Sequence, residues 1–389
     1  MQYILIGFFL VFGFMIFWAM IGFPLSMKLL KKKANRIEHK KDYDYCPSVT
    51  VMIVAHNEED VIKEKLENIM AIDYPSKNLE ILVSSDNSDD DTNAIVKKAI
   101  EDHPEYNIRL YEVKERKGKT NAQNEAANTV TSEILVMTDA NAMLAQNAIK
   151  ELVSMLAFDE VAYVTGRLTY VSSDNWTAQA ENRYWEMDLK LREIESKLYS
   201  ITAGNGALYA VKTKEYVHFD PVRGHDGAMP PYYVKQGKRA YFNKDALVYE
   251  RAGQNVEDEF KRKVRMARNP LKSFFPKIAL LNLFRFKWFS YFYFGHRYCR
   301  RNLWFAHIVV LITSALLIMY DQLFIAVIAL QVTFYLLALI RHFFTVNLKP
   351  FNMIYYYSIT ILAQLVAVYK QLSGQTKPFW EKAESTRKF

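Results

Sequence analysis

Residues 1–27 carry no charged side chain, and the apolar stretch from Tyr3 to Phe23 is long enough to cross a bilayer. A cleaved signal peptide has its positive charges before the apolar run, whereas here a basic cluster follows it. We therefore predict an uncleaved transmembrane anchor over residues 1–27, with its N-terminus outside, and a cytoplasmic basic linker over residues 28–44. The alternative is a buried helix of a soluble domain. The basic cluster comprises Lys28, Lys31, Lys32, Lys33, Arg36, Lys40 and Lys41.

A second apolar region covers residues 302–370 and contains three uncharged runs, each about long enough to span a membrane. We predict three transmembrane helices here and a C-terminal tail over residues 371–389. Three spans would place the tail outside, whereas its basic residues favour the cytoplasm, and both alternatives stay open. The runs are Leu303–Tyr320, Leu323–Ile340 and Pro350–Tyr369.

Residues 256–301 alternate basic clusters with aromatic and aliphatic runs. Such a pattern predicts amphipathic helices in the headgroup plane, with membrane lipids as partners. The alternative is a solvated basic helix followed by a fourth span, which Arg285 and Lys287 would make costly. Two cysteines, Cys46 and Cys299, exclude a disulfide scaffold and a cysteine-built zinc site. The net charge is +8, but the basic residues cluster beside membrane segments, which argues against nucleic-acid binding.

Residues 45–255 alternate predicted strands and helices, which is typical of a doubly wound α/β domain. Polar residues follow three of the strands, namely Asn57 and Glu58, then Asp86, then Asp139 and Asn141. Ligands of such sheets bind at the carboxyl ends of the strands. The strands are predicted at Val49–Ala55, Leu79–Ser84, Ile108–Val113 and Glu133–Met137, with helices at Glu59–Ile72 and Asn93–Asp102.

The chain has no G-x-G-x-x-G fingerprint and no complete phosphate-binding loop. The run from Lys117 to Thr120 resembles the end of such a loop, but the earlier glycine and a directly preceding strand are missing. A nucleotide would instead be held by carboxylates and by a metal ion that bridges its phosphates.

Four segments that contain polar or charged residues follow one another along the predicted α/β domain, in the order VTVMIVAHNEEDVI, SSDNSDDDTNAIV, KERKGKTNAQNEA and MTDANAML. With them the chain resembles membrane-integrated family 2 glycosyltransferases, the group that includes synthases of cellulose, hyaluronan, chitin and poly-N-acetylglucosamine. The resemblance extends from Val49 to Arg387. It implies a GT-A type nucleotide-sugar-binding domain of α/β class over residues 45–255, together with an α-helical transmembrane bundle.

The resemblance implies a UDP-sugar donor. Asn57, Glu58 and Asp86 would lie against the nucleoside, and Lys119 would approach the nucleotide. MTDANAML resembles the D-x-D motif, so Asp139 and Asn141 would bind the Mg²⁺ or Mn²⁺ that bridges the diphosphate. Here an amide replaces the second carboxylate. Each acidic turn, taken alone, is equally explained by capping of the next helix.

The acceptor side is implied by TAGNGALYAVK, in which Gly204, Asn205 and Gly206 would let the backbone approach the donor sugar. RGHDGAMPPYYVKQGKRAYF resembles the segment of the catalytic base, which would be Asp226. His225 replaces a carboxylate of the relatives, and it would either add positive charge or tune Asp226. Turn formation alone is the alternative for both segments.

Two further segments resemble family motifs with changes. Relatives read Q-x-x-R-W where this chain has Arg262-Lys263-Val264-Arg265-Met266. Arg265 would pair with the diphosphate, whereas Met266 lacks the flat ring on which an acceptor sugar stacks. Trp380 and Arg387 resemble a tail that closes over the donor pocket in relatives.

Three hypotheses follow. The first is an inverting synthase in a bacterial inner membrane, multi-pass with a cytoplasmic catalytic domain, that moves a sugar from a UDP-sugar to a growing polysaccharide. The second is a non-processive transferase that adds one sugar to a lipid-linked acceptor. The third is a catalytically silent subunit. An export subunit or a homo-oligomer would give a polymer its path, and the sequence decides neither.

Overall fold

The computed structural model describes residues 1–171, 176–251, 256–268, 270–271, 278–344, 348–377 and 379. The chain divides into two compact units. The helical unit comprises residues 1–30, 179–184 and 255–376, and the sheet unit comprises residues 31–178, 185–254 and 377–389. Each unit is described by itself.

The sheet unit is built on eight strands within the described residues, in the order β3-β2-β1-β4-β7-β6-β8-β5. The four strands β1 to β4 run parallel, whereas β7 is antiparallel to β4. The sheet is therefore mixed, as in the GT-A type α/β fold that the sequence predicted. The strands are β1 Val49–Ala55, β2 Leu79–Ser85, β3 Asn107–Glu112, β4 Ile134–Asp139, β5 Met143–Leu144, β6 Val161–Val171, β7 Leu208–Lys212 and β8 Arg239–Arg251.

The central strand β1 is buried along its whole length because helices cover both faces of the sheet. Successive side chains of a strand point to opposite faces, so Val51 and Ile53 join one core cluster and Met52 joins the other. Helices α3, α4 and α6 supply the first cluster, and α5 and α8 supply the second. The helices that cover the sheet are α3 Ile62–Met70, α4 Thr92–Asp102, α5 Lys119–Ala127, α6 Ala148–Leu156 and α8 His225–Lys235. A further helix is α7, Trp176–Leu198, of which residues 179–184 belong to the helical unit.

The helical unit begins with α1, Gln2–Phe17, and α2, Phe23–Ala34, which a π-helical turn over Trp18–Gly22 joins into one long helix. Its remaining helices are α9 Val256–Met266, α10 Leu283–Phe286, α11 Trp288–Phe292, α12 Leu303–Leu317, α13 Leu323–Phe344 and α14 Lys349–Leu372.

Three helices within the described residues are long and apolar enough to cross a membrane, namely Gln2–Ala34, Leu323–Phe344 and Pro350–Leu372. The predicted run Leu303–Tyr320 forms a shorter apolar helix, α12, which ends at Leu317. At 1.5 Å per residue α12 rises about 22 Å, less than the roughly 30 Å of a bilayer core. Alone it is too short to span.

Candidate active site

The register of four strands brings the predicted site to one edge of the sheet. Ala55 pairs with Ser85 at the ends of β1 and β2, and Val54 pairs with Asp139 at the end of β4. Because β7 runs antiparallel to β4, its first residue Leu208 pairs with Thr138. The loops that follow β1, β2 and β4 therefore meet the loop that precedes β7.

Asp86 organises the loop that leads into α5. Its carboxylate accepts hydrogen bonds from the backbone N–H of Lys117 at 3.1 Å and of Gly118 at 2.9 Å. Gly118 has φ of 92°, a left-handed conformation that glycine adopts without strain. Asp86 is 3% exposed, so this buried carboxylate fixes the backbone immediately before Lys119.

The loops after β1 and β2 are bonded to each other. The Asn57 N–H donates to Ser88 Oγ at 3.1 Å, and the Asn57 side chain both donates to the Asp89 carboxylate and accepts from the Asp89 N–H. The buried Glu58 donates its N–H to Thr92 Oγ1 at 2.8 Å, at the start of α4. Asn57 and Glu58 thus lie in a rigid rim beside Asp86.

Lys119 connects the end of β4 to the loop before β7. Its ammonium group forms an ion pair with the Asp139 carboxylate and donates to the carbonyl of Gly206 at 3.1 Å. The Lys119 side chain is 20% exposed and that of Asp139 is 30% exposed, so both are partly open to solvent. Lys119 therefore fixes an ammonium group between the end of β4 and the loop before β7.

Asp139 and Asn141 lie two residues apart at the end of β4, and both are partly exposed. A carboxylate and an amide oxygen suit Mg²⁺ or Mn²⁺, since such hard ions are often held by one or two protein oxygens, water and substrate phosphates. The described residues contain no group of three His, Cys, Asp or Glu side chains that could hold a metal ion. Asp139 and Asn141 would therefore hold the ion from one side, and the phosphates would supply the rest.

The Asn205 side chain shapes the loop before β7. Its Nδ2 donates to the Gly166 carbonyl at 2.6 Å, and its Oδ1 accepts from the N–H groups of Ala207 and Leu208 at 3.1 and 3.0 Å. Its own N–H donates to Thr165 Oγ1 at 3.2 Å. Asn205 is thus bonded within the fold.

The two glycines of this loop have different neighbours. A Cβ on Gly204 would collide with the hydroxyl of the buried Tyr163, so only glycine fits without a shift. A Cβ on Gly206 would lie 3.3 Å from the ammonium nitrogen of Lys119. The two glycines therefore let the loop backbone approach Tyr163 and Lys119, and the approach to a donor sugar stays a prediction.

Asp226 lies in the first turn of α8, and its carbonyl accepts the N–H of Gly204 at 2.9 Å. On the other side, Thr120 Oγ1 of α5 donates to the Arg223 carbonyl at 2.7 Å. These bonds tie the start of α8 to the loop before β7 and to the segment of Lys119. Asp226 is partly exposed at this meeting point.

His225 is buried between two tyrosines. Its Nδ1 lies 3.2 Å from the Tyr209 hydroxyl and its Nε2 lies 3.4 Å from the Tyr216 hydroxyl. Burial, together with the positive charge of Lys119, lowers the pKa of His225 to about 3. His225 is thus neutral near pH 7, so it adds no positive charge beside Asp226.

The remaining predicted residues are Arg265, Met266, Trp380 and Arg387. Arg265 and Met266 are in α9 of the helical unit, where the Met266 side chain is 53% exposed. Trp380 and Arg387 lie outside the described residues. Just before them, the Phe379 ring lies 4.7 Å from the Arg116 guanidinium, within the sheet unit.

Lys65 is a residue that the sequence reading missed. It is fully buried in α3 and hydrogen bonds to the end of β4. The signal was present, because Lys65 stands on the apolar face that Ile62, Leu66 and Ile69 form at helical spacing. A lysine there ordinarily extends its ammonium group to water.

Residues 47–269, more than half of the chain, match the family described as glycosyltransferase like family 2. The chain belongs to this family. Its enzyme class, a glycosyltransferase, and its GT-A type fold, both predicted from the sequence, are confirmed.

Two curated relatives illustrate the range of the family. The beta-monoglucosyldiacylglycerol synthase of Trichormus variabilis is 24% identical over 163 residues, which cover 41% of this chain and 35% of that protein. The poly-beta-1,6-N-acetyl-D-glucosamine synthase of Staphylococcus aureus is 27% identical over 124 residues, which cover 32% of this chain and 29% of that protein. The matches thus span about a third of these relatives' length.

Among solved structures, the mannosyltransferase PcManGT from Pyrobaculum calidifontis is similar over nearly the whole chain. It is 25% identical, with a TM-score of 0.71, over 96% of this chain and 99% of that chain. That structure was solved in complex with GDP-Man and Mn²⁺.

Asp86→Asn tests whether the buried carboxylate orders the backbone before Lys119. The amide group would set an NH₂ against one of the two backbone N–H groups, so we expect a loss of about 1–3 kcal/mol in the free energy of unfolding. Binding of UDP should weaken as well. Thermal unfolding with and without UDP measures both effects. Asp91→Asn, at an exposed position nearby, is the control, and equal behaviour of the two variants would contradict this role for Asp86.

The neutral state of His225 predicts a pH dependence of stability. The unfolded chain binds a proton on His225 below about pH 6.5, whereas the folded chain binds it only near pH 3. The stabilising contribution is therefore complete above pH 6.5 and is lost as the pH falls, by at most about 1.4 kcal/mol per pH unit.

Unfolding midpoints between pH 8 and pH 5 test this, and His225→Gln should reduce the slope. His39, whose pKa burial lowers to about 4, contributes in the same direction and stays in place in both proteins. His103→Gln, with a side chain 41% exposed, is the control. An unchanged slope in His225→Gln would show that His225 does not titrate in this way.

Proposed function

We propose that this chain transfers one sugar from a UDP-sugar to a lipid-linked acceptor at the membrane, with inversion of the anomeric centre. The observation that carries the proposal is the sheet edge at which Asp86, Lys119 and Asp139 meet the loop of Gly204 and the start of α8 with Asp226. In this proposal the part of the edge with Asp86, Lys119 and Asp139 binds the nucleotide, and the part with Gly204 and Asp226 binds the acceptor.

In this proposal the rim of Asn57, Glu58 and Asp86 holds the nucleoside. Asp139 and Asn141 would hold Mg²⁺ or Mn²⁺, which supplies positive charge to the diphosphate when bound. Lys119 adds a fixed positive charge beside it, within the sheet unit. Arg265 of α9, by family resemblance, is a further cation for the departing diphosphate.

Asp226 is the proposed general base. It takes the proton of the acceptor hydroxyl while that oxygen forms a bond to the anomeric carbon. The bond from the anomeric carbon to the diphosphate oxygen breaks, and its electron pair leaves with UDP. Attack opposite the leaving group converts an α-linked donor into a β-linked product.

Two features favour a single transfer over the polymer synthesis that the sequence analysis put first. Met266 offers no flat ring to stack on a sugar, which argues against a polymer held between transfers. The whole-length structural relative is named a mannosyltransferase, not a polymer synthase. The second candidate, a polysaccharide synthase, draws support from the similarity to the poly-beta-1,6-N-acetyl-D-glucosamine synthase.

In this proposal the chain is a multi-pass protein of a bacterial inner membrane with a cytoplasmic catalytic domain, and the long apolar helices support it. If α12 does not span, α13 and α14 are the described helices after Arg251 that would cross, and two crossings return the chain to the same face. The contact of Phe379 with Arg116, both in the sheet unit, supports a cytoplasmic position for Phe379. This arrangement would resolve the conflict over the side of the tail.

The purified full-length protein in detergent, with Mn²⁺ and extracted membrane lipids, should release UDP from one UDP-sugar. A panel that includes GDP-mannose tests the nucleotide, since the structural relative binds that donor. A single lipid-extractable product with a β linkage by NMR would support the proposal. A ladder of products would establish the polymer synthase. No release from any donor would favour a catalytically silent subunit and contradict the proposal.

Asp226→Asn should lower the transfer rate at least about a hundredfold, since the amide cannot accept the proton. The Kd for UDP should stay within about twofold of that of the unaltered protein. Asp220→Asn, at an exposed position in the segment before α8, is the control. Turnover retained in Asp226→Asn would remove Asp226 from the role of base.

A further inference from the structure

Lys65 is a buried lysine at the end of the sheet where the proposed metal ligands lie. Its relative exposure is 0%, whereas Lys63 on the same helix has a side chain 78% exposed. A buried lysine is rare because the ammonium group loses its hydration. A methionine would fill a similar volume at lower cost, so the presence of Lys65 calls for a specific reason.

The ammonium group of Lys65 bridges the two ends of the segment that carries the metal ligands. It donates to Thr138 Oγ1 at 3.0 Å, directly before Asp139, and to the carbonyl of Ala142, directly after Asn141. The Thr138 hydroxyl lies 3.4 Å from the Asp139 carbonyl and donates to it. The bonds thus enclose the three residues from Asp139 to Asn141 in a closed loop.

The same helix holds the next residues as well. Asn68, one turn further along α3, donates to the Leu144 carbonyl at 2.9 Å and accepts the Leu144 N–H at 2.8 Å. Two polar side chains of α3 therefore fix the chain from Thr138 to Leu144. Burial lowers the pKa of Lys65 to about 7, and the carboxylates of Asp139 and Glu250 act in the opposite direction.

We propose that Lys65 is a positioning residue of the divalent cation site, which holds the Thr138–Ala142 turn so that the oxygens of Asp139 and Asn141 can bind one ion. The proposal rests on the proposed function, because it takes these two residues as the metal ligands. Groups that orient metal ligands without contacting the ion typically lower metal affinity by 10–100-fold when they are removed.

Two other roles make different predictions. If Lys65 acted only through its charge, its removal would strengthen the binding of a cation nearby. If Lys65 only tied α3 to β4, its removal would change stability and leave the affinity for the ion unaltered. Loss of affinity in a folded variant is therefore specific to the positioning role.

The test is Mn²⁺ binding by the full-length protein in detergent in the presence of UDP, followed by the EPR signal of free Mn²⁺. Lys65→Met should raise the Kd for Mn²⁺ by about 10–100-fold, with the thermal unfolding midpoint unchanged or raised. Lys63→Met is the matched control on the exposed face of α3, and its Kd should equal that of the unaltered protein. An unchanged or lower Kd in Lys65→Met would overturn the proposal.

Thr138→Val keeps the test decisive if Lys65→Met fails to fold. It removes the bridging hydroxyl at nearly constant volume, and the Kd for Mn²⁺ should rise several-fold; an unchanged Kd would again overturn the proposal. The parent protein separates the two proposals. If it binds Mn²⁺ with UDP while both variants match it, only the role of Lys65 fails. If the parent protein binds no Mn²⁺, the assignment of Asp139 and Asn141 as metal ligands in the proposed function is wrong.

Discussion

Strand β4 pairs in opposite senses with its two neighbours, and the site depends on this pairing. Its parallel pairing with β1 places Asp139 beside the ends of β1 and β2, where a nucleotide rim can form. Its antiparallel pairing with β7 brings the start of β7, and hence the loop of Gly204 to Gly206, to the same edge. The residues proposed for the donor and the acceptor side are therefore brought to one edge by the backbone hydrogen bonds of β4.

Side chains then fix the geometry that the strands allow. The Asp86 carboxylate orders the backbone before Lys119, and Lys119 links Asp139 to the Gly206 carbonyl. From helix α3, Lys65 hydrogen bonds to the residues on either side of Asp139 and Asn141. Each of these contacts joins residues at least twenty positions apart, so the site forms only when the sheet unit is folded.

Much of this arrangement could be predicted from local pattern. The apolar run Val49–Ala55 predicted a buried strand, and its bounds in the structure are the same. Strand β4 extends to Asp139, two residues beyond its predicted end, because pairing with β1 continues to that residue. The polar residues after the strands predicted a site, since parallel strands end at a common edge.

The contacts that depend on distant partners could not be predicted. The neutral state of His225 follows from its burial and from the nearby charge of Lys119, which no spacing in the sequence reveals. Likewise, the sequence places Lys65 on an apolar helix face but does not reveal the two oxygens that accept its hydrogen bonds. In the helical unit, the run predicted to span from Leu303 ends as a helix at Leu317, which hydropathy alone did not predict.

The proposed metal site is tested most directly by locating Mn²⁺ in crystals of the protein grown with UDP, by anomalous diffraction at the manganese edge. We expect one peak within coordination distance of Asp139 and Asn141 oxygens, with the UDP phosphates as further ligands. A peak bound by other residues, or UDP bound with no peak at this strand end, would contradict it.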